Sequence, residues 1–379
     1  MKKIVWVLLI VLLVLSLVAC LLWLKDKPQG NQDSTDGTSV TQETINTNQI
    51  AEDKTMVAVS VPAITEDTVA EDGTILFQYT YQHMSLVHNK PDIADKIILD
   101  FLNRVDATRA TAQSTADSAK AGYNGNKNWT PYAYHITYSP TRIDHKVLSL
   151  FGNNVVFSGA NHPERTCVSA SYDMLTGDIL TLASIMHKDA SVDDICKLVL
   201  ERLGELAEGD YLYENYKSTV TQRFAGDATM DEAWYFTQTG LCFYFAPYEI
   251  APYASGVITV EIPYEKLKTI LHEAYQPEAR NIPSGTVTIS PFQADKQDQF
   301  SNIAEVVVSN GGDMFTAQTS GYVQDIRVIL NDRTSNYTVF AANVLSASDA
   351  VVIQTNETFR KQMKLSYKSG NQTITTPIG

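Results

Sequence analysis

Residues 4–24 form an apolar run broken only by Ser16, and they follow directly on Met1-Lys2-Lys3. As a helix rising about 1.5 Å per residue, such a run crosses a hydrocarbon layer of about 30 Å. It therefore divides the chain before any other feature does, into a membrane segment and a body. Lys2, Lys3 and the α-amine hold a short stub, residues 1–3, on the cytoplasmic side, whereas Asp26 dilutes Lys25 and Lys27 beyond the run. The expected arrangement is a single-pass signal-anchor over residues 4–24 with the body extracytoplasmic. Leu17-Val18-Ala19-Cys20 supports a second reading, a lipoprotein acylated at Cys20. Leu21-Leu22-Trp23-Leu24 keeps the run apolar past that cysteine and favours the anchor.

Composition changes abruptly after the run. Residues 25–73 are polar and acidic, rich in Thr, Ser, Asn and Gln and without aromatics, and Lys54 is outnumbered by carboxylates. A segment of this kind buries too little apolar surface to offset ordering entropy, so it reads as a flexible acidic stalk. Within it, residues 56–61 have the pattern of a short strand docking onto the body.

From Thr74 the chain patterns as a folded domain reaching residue 278. Phe77, Tyr79 and Tyr81 alternate with polar neighbours as a half-buried strand. Pro91 opens a helix with Ile93, Ile97, Phe101 and Val105 on one stripe, and a polar Ala/Thr/Ser tail ends it. Further strands carry Tyr132, Tyr134, Ile136 and Tyr138, then residues 147–151 and 155–157, with Gly152-Asn153-Asn154 between them as a hairpin signal. Ser191 caps a helix with Asp194 at the capping-box position. Residues 234–264 concentrate aromatics, with residues 241–245 as a central strand and Ile258, Val260 and Ile262 as the buried face of the next. A short helix over 265–274 closes the domain. Residues 282–285 read as a linker, and residues 284–379 as a β-rich, sandwich-like accessory module of short strands.

Chemistry is conspicuous by what the sequence lacks. GxSxG, HExxH, Walker and GxGxxG patterns are absent, and the His residues do not fall at metal-ligand spacings. No catalytic residue, metal or cofactor is expected. A net charge of −14 argues against nucleic acid. It keeps the body soluble and attracts basic partners. Cys167, Cys196 and Cys242 have no CxxC spacing, cannot all pair, and each sits in an apolar pattern, which reads as buried free thiol.

Two clusters stand out. In residues 158–165, Gly159 and Pro163 shape a loop that presents Asn161, His162, Glu164 and Arg165. In residues 247–256, two prolines bracket Tyr248, Glu249 and the residues after them, with Tyr253 close behind. Tyrosines supply broad amphipathic contact at low entropic cost. The ligand-binding candidates are therefore Asn161, His162, Glu164, Arg165, Tyr248, Glu249 and Tyr253. Each cluster has a structural alternative: a rigid turn for the first, a crossover packing its rings on the sheet for the second.

The segments FSGANHPERTCVSASYDMLTGDILTLASIM (157–186) and GLCFYFAPYEIAPYASGVITVEIPYEKL (240–267), with the helix between them, resemble a known extracytoplasmic domain. It is shared by RsiV-like, lysozyme-responsive anti-sigma-V factors and the N-terminal half of PdaC-type peptidoglycan deacetylases. The resemblance spans residues 74–275. It departs at Ala160-Asn161-His162-Pro163, where the family form is closer to Gly-Gly-Ala-His-Pro. It implies an α+β fold, an antiparallel sheet with packed helices, and a role at the cell wall. The stub is too short for a sigma-binding domain, and the deacetylase metal ligands have no counterpart.

The expectation is a membrane-anchored extracytoplasmic binding or sensor-like protein of the bacterial envelope, not an enzyme. Its ligand would be a lysozyme-like protein or peptidoglycan. The alternative is a cell-wall-modifying enzyme, or an accessory to one, using His162 and Glu249; a third reading is signalling through a partner membrane protein.

Overall fold

Alternation of apolar and polar residues dominates this chain, and in the computed structural model it becomes a mixed α+β architecture of several sheets and a few helices. The structure describes residues 55–206, 211–226, 233–277, 284–332 and 335–378. The stub, the apolar run, Cys20, the stalk up to residue 54 and part of the expected linker lie outside the described residues. Among the described residues no helix is long and apolar enough to cross a membrane. Residues 48–379 make one compact unit.

In chain order the first elements are β1 (Ala58–Ser60), β2 (Ala63–Val69), β3 (Ile75–Gln82) and β4 (Ser85–Val87). They are followed by α1 (Pro91–Asp106), α2 (Arg109–Gly122), β5 (Tyr132–Ile143), β6 (Val147–Phe157) and β7 (Glu164–Asp173). Strands β2, β3, β5, β6 and β7 form a five-stranded sheet in that order. The sheet is antiparallel except where β3 meets β5 in parallel, so the expected antiparallel sheet is corrected at that one junction. Parallel neighbours need a long crossover, and α1 and α2 supply it. Their buried faces, Ile97, Phe101 and Val105 on α1 and Ala112, Ala116 and Ala119 on α2, share a core with Tyr79, Tyr134, Ile136 and Tyr138 of the sheet. The Ala/Thr/Ser stretch read as the tail of α1 is thus a second helix. The break falls at Thr108, whose hydroxyl donates to Val105 O at 2.6 Å.

Two further sequence expectations change here. Gly152 is no hairpin turn: β6 runs unbroken, and Asn153 pairs with Thr137 on one side and Cys167 on the other. A Cβ on Gly152 would lie 1.9 Å from Thr137 O, so glycine serves close approach of two backbones rather than a reversal. Residues 58–69, read from the sequence as part of a stalk, contain two paired strands. The acids of β2 sit on an exposed sheet edge, where charge discourages edge-to-edge pairing. There Glu66 accepts from Tyr81 Oη at 2.6 Å and Asp67 from Gln78 at 3.1 Å.

The middle of the chain builds a second layer from α3 (Val192–Leu206), α4 (Tyr216–Ala225), β8 (Trp234–Phe236), β9 (Gly240–Phe245) and β10 (Ile258–Pro263). The sheet order β10-β9-β8 puts residues 240–245 at its centre. Ile195, Val199 and Leu203 of α3 pack with Val220 and Phe224 of α4 against Trp234, Phe243 and Val260. Asp194 closes the N-terminus of α3 as expected, accepting from Ser191 N at 3.0 Å and Ser191 Oγ at 2.9 Å. The closing helix is shorter than expected: α5 (Tyr264–Leu267), then a single turn at Glu273–Tyr275.

The C-terminal strands are β11 (Val287–Pro291), β12 (Asn302–Val307), β13 (Asp313–Thr319), β14 (Val323–Asp332), β15 (Ser335–Leu345), β16 (Asp349–Thr355), β17 (Met363–Ser369) and β18 (Gln372–Pro377). They make a four-stranded sheet, β11-β13-β16-β12, and a six-stranded one, β18-β17-β14-β15-β1-β4, which enclose one core. The region is not self-contained, since β1 pairs with β15 and β4. Successive residues of a strand point to opposite faces. Met56 and Ala58 accordingly enter the C-terminal core, while Val57, Val59 and Val61 enter the core under α1 and α2. Arg327 of β14 adds hydrogen bonds to Pro140 O at 2.8 Å and Thr141 O at 2.9 Å.

Candidate binding site

Both sequence clusters are strand connections, and the packing of the three-stranded sheet against β6 and β7 decides where they go. Tyr235, Cys242 and Tyr244 pack on Phe151 and Cys167, with the Phe151 and Tyr235 rings stacked at 4.4 Å. That contact carries the β9–β10 crossover to the β6–β7 loop. His162 and Tyr253 stack there with ring centroids 4.4 Å apart, and Tyr253 Oη donates to Pro163 O at 3.0 Å. Loops separated by 90 positions in sequence thus meet through one aromatic pair.

Tyr248 stands beside this pair, its ring centroid 5.5 Å from that of Tyr253. Its φ is 71°, in the left-handed region that side chains rarely adopt. The conformation is held by Tyr248 N donating to Ala251 O at 3.0 Å and Glu249 N to Ala246 O at 3.1 Å. Tyr248 is left 59% exposed. A backbone cost of about 1–3 kcal/mol at such a residue is typical of positions where a side chain is held out for use.

Glu249 has a different role. Its Oε1 accepts from Arg223 Nη1 and its Oε2 from Ala246 N at 2.8 Å. Arg223 also donates to Tyr244 O at 3.1 Å and lies over the Phe245 ring. Glu249 therefore pins the crossover to α4. Burial, and secondarily the negative charge of Glu249, pushes the Cys167 thiol up to about 12, so it is not a nucleophile at neutral pH. All three described cysteines are free.

Of the seven candidates the structure brings together His162, Tyr248 and Tyr253. Asn161 is exposed on the same loop. Glu164 and Arg165 open β7 at adjacent positions, paired with Val156 and Val155. Adjacent strand residues face opposite ways, and Arg165 turns away into a separate cleft. Sequence reasoning missed Arg223, because its helix α4 was not foreseen and only the fold places it against Glu249. Among the described residues no group of three or more His, Cys, Asp or Glu is placed to hold a metal ion. The arrangement offers aromatic faces and hydrogen-bonding edges to a surface ligand.

Comparison with known proteins adds a family for one part of the chain. Residues 184–265 match the family model described as "Protein of unknown function (DUF3298)"; the match takes in α3, α4, β8 to β10 and the Tyr248–Tyr253 crossover. Among solved structures, a DUF3298 family member from Bacteroides fragilis (BF2082) is 16% identical, with a TM-score of 0.42, covering 57% of this chain and 94% of that one. A DUF3298 family protein from Pseudomonas aeruginosa (PA4972) is 13% identical, with a TM-score of 0.38, covering 58% and 97%. No curated protein matches the sequence.

Proposed function

We propose that this chain, which carries a DUF3298 domain over residues 184–265, is a membrane-tethered extracytoplasmic binding protein of the bacterial envelope. Its ligand is a lysozyme-like protein or peptidoglycan, held at the paired loops. One observation carries the reading: the His162–Tyr253 stack joins the two loops and leaves Tyr248 presented at the surface in a strained backbone. Exposed, pre-positioned tyrosines bind sugar faces and protein surfaces at low entropic cost. The apolar run of residues 4–24 supplies the tether, and the acidic charge of −14 favours a basic protein such as lysozyme during encounter.

The test uses residues 48–379, the compact unit, in two assays: sedimentation with insoluble peptidoglycan and titration with lysozyme. Binding in one assay, weakened tenfold or more by Tyr248→Ala, is the expected result; binding to neither at micromolar concentration overturns the reading. Digestion by protease added outside intact cells tests the tether, since a cytoplasmic body would be spared.

A further inference from the structure

Helices α1 and α2 cover one face of the five-stranded sheet. On β5, Tyr134, Ile136 and Tyr138 turn toward α1 and α2, and His135, Thr137 and Ser139 face the other way, into a cleft of about 610 Å³. Strand register aligns that floor. Thr65, Thr80, His135, Val155 and Arg165 are successive cross-strand partners, one row running through all five strands. Thr137 and Asn153 pair in the next row and Ser139 and Phe151 in a third. The opposite wall comes from the C-terminal part of the chain, with Asn336, Tyr337 and Phe359 among its residues.

Its chemistry departs from that of the chain. The protein has 43 acidic residues among 379, yet none of the described residues lining the cleft is Asp or Glu. The polar groups are short hydroxyls and the amides of Asn153 and Asn336 on strands, joined by the His135 imidazole and the Arg165 guanidinium, with the rings of Phe151, Tyr337 and Phe359 between them. Hydroxyls and amides at fixed spacing suit the hydroxyls of a sugar, and aromatic faces suit its C–H faces. A guanidinium recognises a carboxylate in preference to a neutral group, and a wall without acids does not repel one. The volume lies within the range of about 300–1,000 Å³ usual for ligand sites.

We infer that this cleft is a glycan-binding site for an oligosaccharide bearing a carboxylate, with Arg165 as the carboxylate contact and the Thr137–Asn153 row as its floor. It uses other residues than the paired loops, and glycan bound here leaves the lysozyme-like protein as the ligand of those loops.

The experiment titrates the full-length chain, in a detergent without sugar headgroups, with two tetrasaccharides. One alternates N-acetylglucosamine with N-acetylmuramic acid, which carries a carboxylate; the other is chitotetraose, its neutral counterpart. Tighter binding of the first is expected. Arg165→Gln should weaken it about tenfold, the loss of one charge-assisted hydrogen bond, and leave chitotetraose nearly unchanged. Thr137→Trp, which fills the cleft, should abolish binding of both, and Tyr248→Ala should alter neither. Should Thr137→Trp fail to fold, Asn153→Ala, at an exposed position, serves in its place and should weaken both sugars. The inference is overturned if neither sugar binds, if the folded cleft variants bind as well as wild type, or if Arg165→Gln leaves the preference intact. Loss of binding in Tyr248→Ala alone would place the glycan at the loops, rejecting the cleft and sparing the loop reading.

Discussion

Arg142 donates a hydrogen bond to Tyr264 Oη at 2.9 Å, tying the end of β5 to a residue 122 positions later. The guanidinium is 1% exposed, and its other partners are Asp144 Oδ2 at 2.7 Å and Tyr275 O at 2.6 Å. Tyr264 passes the connection on, donating to Thr237 O at 2.9 Å. The Phe236 ring lies 5.2 Å from the guanidinium. One buried cation thus joins the five-stranded sheet to the three-stranded sheet that carries the Tyr248–Tyr253 crossover.

Removing that cation leaves Asp144 with an uncompensated charge. Arg142→Met is expected to cost about 3–5 kcal/mol, as for other broken buried pairs. Adding Asp144→Asn should recover part of the loss. Urea denaturation of the single and double variants measures both, and equal midpoints for wild type and Arg142→Met would contradict the assignment.

Acid should release the same junction. Burial opposes ionisation of Asp144, but the charge and hydrogen bonds of Arg142, with the amides of Lys146 and Val147, outweigh it and lower its pKa below the ordinary 3.8. A depressed folded value means that this contribution is complete above the unfolded pKa and is lost as pH falls through the lower folded value. Urea midpoints followed from neutral pH into acid should fall more steeply for wild type than for Asp144→Asn. Parallel curves would refute it.

Gly152→Ala puts a methyl group 1.9 Å from Thr137 O. Two paired strands cannot part at one residue without loss of register, so a cost of about 3 kcal/mol or more is expected. Chemical denaturation would show it, whereas a turn glycine would tolerate the change better.

At the candidate site, Tyr253→Phe removes only the hydrogen bond to Pro163 O, about 1 kcal/mol, and keeps the stack. Tyr253→Ala removes both. The ring-current shift of the His162 protons in NMR spectra should therefore survive the first substitution and vanish in the second. Its persistence in Tyr253→Ala would mean that the loops are not coupled through this pair.

Burial pushes the Cys167 thiol up to about 12 and the Cys242 thiol to about 11. Neither should react appreciably with iodoacetamide at neutral pH until denaturant is added. Intact-mass measurement with and without urea decides this.

Periodic features were legible in the sequence because they are local. The stripe of Ile97, Phe101 and Val105, the Ser191–Asp194 cap and the central strand at residues 241–245 each rest on residues within a few positions of one another. Gly152 and the Ala/Thr/Ser stretch after α1 misled for the opposite reason. Glycine serves a turn or a close approach equally well, and a polar Ala/Thr/Ser stretch becomes a helix only when a sheet offers its small residues a surface. Strand β1 combined the two cases. Its alternation was visible, but that its two faces belong to different cores was not.

The sequence alone determined the alternating strands, the amphipathic helices and the two loops that carry the candidate side chains, through backbone propensity and apolar periodicity. Tertiary structure decided which of those side chains meet. It stacked His162 on Tyr253, took Glu249 for Arg223, and turned Arg165 into the cleft beneath β14 and β15. Cross-strand register and the packing of one sheet on another set such pairings, and both bring together residues far apart in the chain, 26 positions for Arg223 and Glu249 and 90 for Pro163 and Tyr253, beyond the reach of any local pattern.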